Sequence, residues 1–99
     1  MTPARRHMDL VSQAGCVVGN RHGNCEGRVE VHHVAEGSGL RSDYSTAGLC
    51  TGHHTGAAGL HCLGVKRFCS LYRVPGETEY GLLVWVNEDI AKLRVRLAA

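Results

Sequence analysis

The chain has 99 residues, which suits a single domain, and a domain of this size buries only about two-thirds of its unfolded surface. It holds 5 Cys and 7 His, has only 5% aromatic residues, and its net charge of +2 is too small to indicate nucleic-acid binding by itself. No apolar run approaches the roughly 18 residues of a membrane span, and no signal peptide is visible. We therefore expect a cytoplasmic, reducing location, where cysteines serve as metal ligands rather than as disulfides.

Two short strands are predicted in the first half of the chain. A short helix is expected at about residues 8–13, and the residues 16–28, which are rich in glycine and asparagine, indicate turns. Residues 29–34 alternate valine with polar side chains, which predicts a strand. A second strand is expected at about residues 46–49, and the two are expected to form an antiparallel pair.

Helices are predicted in the second half of the chain. Two short helices are expected at about residues 51–55 and 63–72, because the Gly-Ala-Ala-Gly stretch between them argues against one continuous helix. From residue 77 to 97 apolar residues recur at the spacing of an amphipathic helix, with acidic residues near its start and basic residues near its end. Together these elements predict a small α+β domain.

One group of Cys and His residues has the spacing of a structural zinc site. Cys50 and His53 form a Cys-x-x-His knuckle, and Cys16 and Cys25 flank a turn that could supply the other two ligands. Three thiolates and one imidazole would close a tetrahedral site for Zn²⁺. Eight residues separate the first two cysteines, where a knuckle has two, so His22 competes for a place in the ligand set. The alternative is that the two cysteines are ordinary buried thiols.

A second group of histidines is typical of an open, catalytic metal site. His32 and His33 are neighbours on the predicted strand and point to opposite faces, so one can bind metal while the other acts differently. If His53 joins the zinc site, His54 is free to face His32, and His61 follows seven residues later. Three imidazoles leave coordination positions open for a substrate, and a neighbouring histidine could act as general base.

These residues stand in an order that resembles HNH endonucleases with the ββα-metal, treble-clef-like fold. The longer pattern is similar to the phage branch of Ref-like, RecA-dependent nucleases and covers about residues 16–73. It consists of Val31-His32-His33-Val34, Ser42-Asp43-Tyr44, Gly48-Leu49-Cys50, His53-His54-Thr55-Gly56, Gly59-Leu60-His61, Leu63-Gly64 and Phe68. The resemblance implies one nuclease domain over residues 1–99, with an N-terminal arm or helix at 1–15, a zinc knuckle and ββα-metal core at 16–73, and a C-terminal helix at 77–97.

The resemblance also implies a role for each histidine. His32, His54 and His61 would bind the catalytic divalent metal, and His33 would be the general base. The implied reaction is hydrolysis of DNA phosphodiester bonds, by nicking or cleavage, with 5′-phosphate products. An all-imidazole set favours Zn²⁺, Ni²⁺ or Mn²⁺, although Mg²⁺ stays a candidate because phosphate and water supply oxygen ligands.

The chain departs from the HNH pattern at two positions. The central Asn of that motif would fall near Ser45, which could replace it only in part. The usual Cys-x-x-Cys before the first strand would place its second cysteine at Gly19, so Cys25 has to substitute for it. The second departure leaves the zinc ligand set open while still favouring zinc.

Four residues outside the two groups receive structural interpretations. Cys62 and Cys69 are seven apart on one predicted helix, so they are expected to share a face and lie in the core. Asp43 and Glu36 are interpreted as solvated loop charges, and the alternative is that one of them orients a ligand histidine.

DNA is the expected partner, although its contacts are thinly specified. Arg41, Lys66 and Arg67 lie in or after the motif and are candidates for phosphate contacts. The resemblance adds a recombination or replication protein such as RecA as a candidate partner and a bacterial or phage origin. No membrane is expected as a partner, because the chain has no long apolar run. A monomer and a homodimer are both open. The alternative function is a non-catalytic, zinc-stabilised module that binds nucleic acid or protein.

Overall fold

The structure, a computed structural model, describes residues 1–34 and 41–99. Within these residues two strands lie between short helices, with a 3-10 turn at Pro75–Glu77. The elements are α1 Pro3–Ala14, α2 Gly19–His22, β1 Val29–His33, β2 Thr46–Cys50, α3 Thr51–His54, α4 Leu60–Leu63, α5 Val65–Leu71 and α6 Gly81–Ala98. The predicted α+β class is confirmed, and the strand-strand-helix order is compatible with a small ββα-metal domain.

The two strands form the predicted antiparallel pair. Val29 lies opposite Cys50, and His33 lies opposite Thr46. Every residue of β2 is buried, whereas His32 is the buried residue of β1. The pairing therefore places His32 and His33 beside Ala47 and Thr46, at the end of the hairpin that is away from α3.

The segment before α2 lies along the free side of β2. The Val17 amide donates a hydrogen bond of 3.0 Å to the carbonyl of Gly48. A Cβ atom at Gly48 would overlap the carbonyl oxygen of Gly15, so only glycine allows this approach. The contact places Cys16 beside the strand that ends in Cys50.

The apolar core lies between the sheet, α1, α5 and α6. Helices α1 and α6 contact each other, and both contact β2. The largest side chains that are fully buried are Phe68, Leu49, Leu60, Leu82, Val11, Val17, Val18, Val74 and Val86. Only one of these is aromatic, so the core depends on medium-sized aliphatic side chains.

The N-terminal helix begins earlier than the sequence pattern predicted. Thr2 caps it, because its hydroxyl accepts a hydrogen bond of 3.1 Å from the Arg5 amide. Pro3 occupies the first turn, where its missing N–H costs no helical hydrogen bond. These two residues extend α1 by a turn and a half beyond its apolar stretch.

The C-terminal helix begins at Gly81 rather than at residue 77. Gly76 and Glu77 have φ angles of 69° and 52°, which the helix cannot continue through. Gly81 packs so closely on the 3-10 turn that a Cβ atom there would overlap the Pro75 carbonyl oxygen. Among the described residues no helix, α6 included, has the length and apolarity that crossing a bilayer requires.

Three helices replace the two expected between residues 51 and 72. Gly64, with φ of 86°, ends α4 and separates it from α5. Cys62 and Cys69 therefore lie on different helices and do not share a face. Cys69 is buried as predicted, but the core assignment of Cys62 is wrong because its residue is exposed.

A one-turn helix, α2, lies in the segment that was expected to form turns only. Asp89 on α6 is 7% exposed and accepts hydrogen bonds of 2.9 and 3.0 Å from the Arg21 guanidinium. It also accepts one of 3.0 Å from the Asn20 amide. The guanidinium carbon lies 4.8 Å from the Trp85 ring centre. These contacts fix the segment between the first two cysteines to the C-terminal helix.

Candidate functional site

The structure brings Cys16, Cys25, Cys50 and His53 into one group. Their ligand atoms all lie within 4.8 Å of one another, and such a group could hold a metal ion. The His53 Nδ1 atom lies 3.2, 3.5 and 3.9 Å from the sulfurs of Cys50, Cys16 and Cys25. Ligands around a tetrahedral zinc are spaced about 3.6 Å apart when the bonds are about 2.0 to 2.3 Å long. The donor set and its spacing therefore fit Zn²⁺.

Two backbone amides point at the sulfurs of this group. The Gly19 amide donates to the Cys16 sulfur at 3.2 Å, and the His53 amide donates to the Cys50 sulfur at 3.4 Å. A Cβ atom built on Gly19 would overlap the Cys25 sulfur. The Cys25 sulfur thus occupies the space that the Cβ atom of a cysteine at residue 19 would need. This is how the chain accommodates the unusual spacing of its first two cysteines.

The three thiols shift one another's pKa. Burial raises the pKa of the Cys16 thiol, and desolvation, with contributions from Cys50 and Cys16, raises that of Cys25 to about 12. At Cys50, burial acts to raise the pKa, but hydrogen bonds from the backbone of His53 and Glu26 and from the neighbouring thiols outweigh it and lower the pKa. Three adjacent thiolates thus need a compensating cation, which a coordinated divalent metal provides.

His22, the competing ligand for this group, lies elsewhere. Its Nε2 atom is 2.8 Å from the Tyr72 carbonyl oxygen, and its ring lies 6.2 Å from that of Trp85. The grouping therefore favours Cys25 over His22. Burial lowers the pKa of His53, so its imidazole favours the neutral form that binds metals.

A second group contains His32, His54 and His61, whose ligand atoms also lie within 4.8 Å of one another. The Nε2 atoms of His54 and His61 are 3.1 Å apart. The ring centre of His32 lies 5.2 Å from the ring centre of His54 and 5.5 Å from that of His61. His32 is buried and His61 is exposed, so the group opens to solvent on one side. Three imidazoles with an open side fit a divalent ion that keeps positions for a substrate.

Two carboxylates that the sequence did not single out hold these histidines. The Glu79 Oε2 atom lies 2.7 Å from His32 Nε2, and the Glu30 Oε1 atom lies 2.8 Å from His54 Nδ1. Because a carboxylate accepts, each of these nitrogens carries the proton and the opposite nitrogen is left to bind a metal. Burial lowers the pKa of His32 although Glu79 opposes the shift, and the hydrogen bond with His54 lowers the pKa of Glu30.

His33 follows the buried His32 on β1 and contacts two polar side chains. Its Nε2 atom lies 2.9 Å from an Asp43 carboxylate oxygen, and its Nδ1 atom lies 3.0 Å from Arg41 Nη2. Asp43 is 50% exposed, as expected for a loop charge, and it also contacts an imidazole; that imidazole belongs to His33 and not to one of the predicted ligand histidines. Glu36 lies outside the described residues.

A cavity of about 250 Å³ joins the second group to His33. Its lining among the described residues consists of Val31, His32, His33, Arg41, His54 and His61. Of the three predicted phosphate-binding residues, Arg41 lies at this cavity. Lys66 and Arg67 are exposed on α5, and Arg67 lines a different cavity with Leu63 and Leu71.

Ser45 lies beside the strands rather than on the histidines. Its hydroxyl donates a hydrogen bond of 3.1 Å to the Val34 carbonyl, and its amide donates one of 3.0 Å to the Ser42 carbonyl. These bonds fix the end of the hairpin. Ser45 thus supports the backbone near His33, while Asp43 contacts the imidazole itself.

The chain matches the family described as "Recombination enhancement, RecA-dependent nuclease" over residues 2–91. No curated protein and no solved structure is significantly similar to the chain. The matched range includes both groups of ligand residues and most of α6. This match confirms the resemblance to Ref-like, RecA-dependent nucleases, and the chain belongs to the family of recombination enhancement, RecA-dependent nucleases.

Proposed function

We propose that the chain is a metal-dependent HNH endonuclease that hydrolyses DNA phosphodiester bonds, by nicking or cleavage, and leaves 5′-phosphate ends. The observation that carries the proposal is the cavity where an open group of three imidazoles meets His33. The family description, which names a nuclease, supports the same reaction class. A pure binding module would have no need for a histidine that is not a ligand beside an open metal group.

In this proposal His33 is the general base. It takes the proton from the water that attacks the phosphorus atom, a role for which histidine is the side chain most often used. His32, His54 and His61 hold a divalent ion, which when bound stabilises the charge that develops on the phosphate and the leaving oxygen. Glu79 and Glu30 fix the orientation of two of these ligands.

The first group has a different role in the proposal. Cys16, Cys25, Cys50 and His53 close a structural Zn²⁺ site, because four ligands leave no position for a substrate. The second group offers only imidazole and therefore favours Zn²⁺, Ni²⁺ or Mn²⁺, with Mg²⁺ as the remaining candidate. The chain thus binds two metal ions with separate roles.

The proposed substrate is DNA, held mainly through its phosphates. Arg41 lies at the cavity and binds the phosphate near the reacting bond, whereas Lys66 and Arg67 on α5 bind more distant phosphates. RecA is the proposed partner, since the family description names dependence on it. We propose that residues 1–99 form one such nuclease domain that acts in the cytoplasm.

A plasmid assay tests the proposal. Bare supercoiled DNA is incubated with the purified chain in Mg²⁺, Mn²⁺, Ni²⁺ or Zn²⁺. RecA-coated single-stranded DNA is the second substrate and is incubated in the same metals. We expect nicked or linear products with 5′-phosphate ends, and a loss of about 100-fold or more in His33→Ala. His22→Ala, which replaces an exposed histidine outside both groups, should cut like the wild type.

Failure of the proposal has a clear form. If the wild type cuts in no metal on either substrate, or if His33→Ala cuts equally well, the alternative of a non-catalytic, zinc-stabilised binding module is favoured instead. Metal analysis of the same preparation should give about one zinc per chain for the closed group alone, which is the group of Cys16, Cys25, Cys50 and His53. A value well below one would contradict the structural zinc site.

A further inference from the structure

The two contacts of His33 define which of its nitrogens carries the proton. An arginine guanidinium has five N–H donors and no acceptor. Because Arg41 Nη2 lies 3.0 Å from Nδ1, that nitrogen has to present its lone pair. The proton of a neutral imidazole is then on Nε2, which lies 2.9 Å from the Asp43 carboxylate and donates to it. The pair of contacts therefore selects one tautomer and one ring orientation.

We propose that Asp43 is the positioning residue for the general base, and that Arg41 covers the basic nitrogen until a substrate phosphate draws the guanidinium away. This inference rests on the proposed function, in which His33 is the base. Asp43 holds the Nε2–H group, so the Nδ1 lone pair of His33 is aimed at the place where Arg41 now lies. That place is also where the attacking water has to stand.

Hydrogen bonds fix the backbone around Asp43. The Thr46 hydroxyl donates to the Asp43 carbonyl oxygen at 3.0 Å, and the Tyr44 amide donates to the Ser42 hydroxyl at 3.2 Å. The Asp43 side chain itself is 50% exposed. A substitution there consequently leaves the turn and the core intact, so its effect can be assigned to the contact with His33.

Arg41 has a better partner when DNA arrives. A phosphate carries charge and accepts two parallel hydrogen bonds from one guanidinium, whereas a neutral imidazole nitrogen accepts one without a charge. Arg41 and the metal-group histidines line the same cavity, so a phosphate that enters the cavity comes within reach of the guanidinium. Transfer of Arg41 to the phosphate uncovers Nδ1 only when a substrate is in place.

The test combines kinetics with nuclear magnetic resonance on the metal-loaded chain. We expect kcat of Asp43→Ala to fall about 10- to 100-fold with KM nearly unchanged, and Asp43→Asn, whose amide oxygen still accepts, to recover most of that loss. Arg41→Ala should raise KM about 10-fold with kcat within a few-fold of the wild type. Asp9→Ala, which removes the same charge from the exposed pair with Arg5, serves as the matched control.

The tautomer gives a readout that does not need DNA cleavage. Long-range proton–nitrogen spectra should show His33 protonated on Nε2 in the wild type and Asp43→Asn, and a mixture of tautomers in the double variant Arg41→Ala/Asp43→Ala, which has neither contact. An unchanged spectrum in the double variant or an unchanged kcat in Asp43→Ala would overturn the inference, as would an Arg41→Ala variant that loses kcat while keeping KM. If the wild type shows the Nε2–H tautomer and yet cuts no DNA, the proposed function fails, and the inference about catalysis fails with it. If Asp43→Ala cuts DNA at the wild-type rate, only the inference is overturned.

Discussion

At the residue scale, Gly19 and Cys25 share one place in the protein, and this sharing can be tested. The Cys25 sulfur lies where a Cβ atom on residue 19 would stand. We expect Cys25→Ala to lose the closed-group zinc and several kcal/mol of unfolding free energy, because the binding energy of a structural zinc is part of the folding energy. A second change, Gly19→Cys, should restore the zinc, since it creates the usual two-residue spacing with Cys16.

The matched control for this pair is Gly19→Ala/Cys25→Ala, which fills the same space without a sulfur. Zinc content by elemental analysis and unfolding by circular dichroism measure the outcome. Equal zinc in the cysteine and alanine double variants would show that residue 19 cannot take the place of Cys25. Full zinc in Cys25→Ala alone would remove Cys25 from the ligand set.

Glu79 gives a second prediction at this scale. It is a buried carboxylate, 6% exposed, and it holds His32 at 2.7 Å. We expect Glu79→Gln to weaken metal binding at the histidine group about 10- to 100-fold. A carboxylate that accepts a hydrogen bond from a ligand histidine both orients the imidazole and raises its basicity. Metal titration of the chain with its zinc site filled measures this affinity.

Glu77→Gln is the control for that change. Glu77 is exposed and only two residues away, so the variant loses the same charge without touching His32. The metal affinity of Glu77→Gln should match that of the wild type. If both variants lose affinity equally, the effect comes from net charge, and the role of Glu79 as a partner of His32 is refuted.

At the scale of elements, the contact between α2 and α6 holds the segment between Cys16 and Cys25. Asp89 is buried and pairs with the Arg21 guanidinium through both of its carboxylate oxygens. Asp89→Ala leaves a largely buried guanidinium without its partner, so we expect a loss of about 3 kcal/mol in unfolding free energy. Urea unfolding monitored by Trp85 fluorescence measures the loss, because the guanidinium lies against that ring.

Glu88 provides the comparison for this contact. Its carboxylate also lies near Arg21, at 3.3 Å, but its side chain is 53% exposed. Glu88→Ala should cost less than about 1 kcal/mol, as exposed pairs do. Similar losses in the two variants would mean that burial does not govern this ion pair.

The elements also show where sequence patterns stop being informative. The first strand follows from the alternation of valine with polar residues, and Cys50 and His53 follow from their Cys-x-x-His spacing, so these could be predicted. The spacing of Cys16 and Cys25 left the choice between Cys25 and His22 open, and the fold favours Cys25. Glu30 could also have been found, because a strand period of two places it on the same face as His32. Glu79 could not, since 47 residues separate it from His32 and only the packing of the 3-10 turn and α6 brings them together. The same holds for Asp89, which is 68 residues from Arg21.

At the scale of the whole molecule, the two ligand groups are joined by one short helix. His53 and His54 are neighbours on α3, yet the first faces the cysteines and the second faces His32 and His61. Cys50 caps that helix through the His53 amide. Whatever holds the first group therefore also places His54, so we expect loss of the first group to disturb the second.

The histidine group is more open to solvent than the cysteine group, which predicts two separable steps on metal removal. The histidine group opens to solvent at His61, so a mild chelator should remove its ion first, abolish cutting and leave far-ultraviolet circular dichroism unchanged. Cutting should return when Mn²⁺ is added. A strong chelator at elevated temperature should then remove the ion of the closed group and unfold the chain, because its core holds few large side chains.

His61→Ala is the matched variant: it should fold with the wild-type melting temperature and bind one ion instead of two. Loss of structure in the first step, or a His61→Ala variant that does not fold, would show that the histidine group and not the cysteine group stabilises the fold.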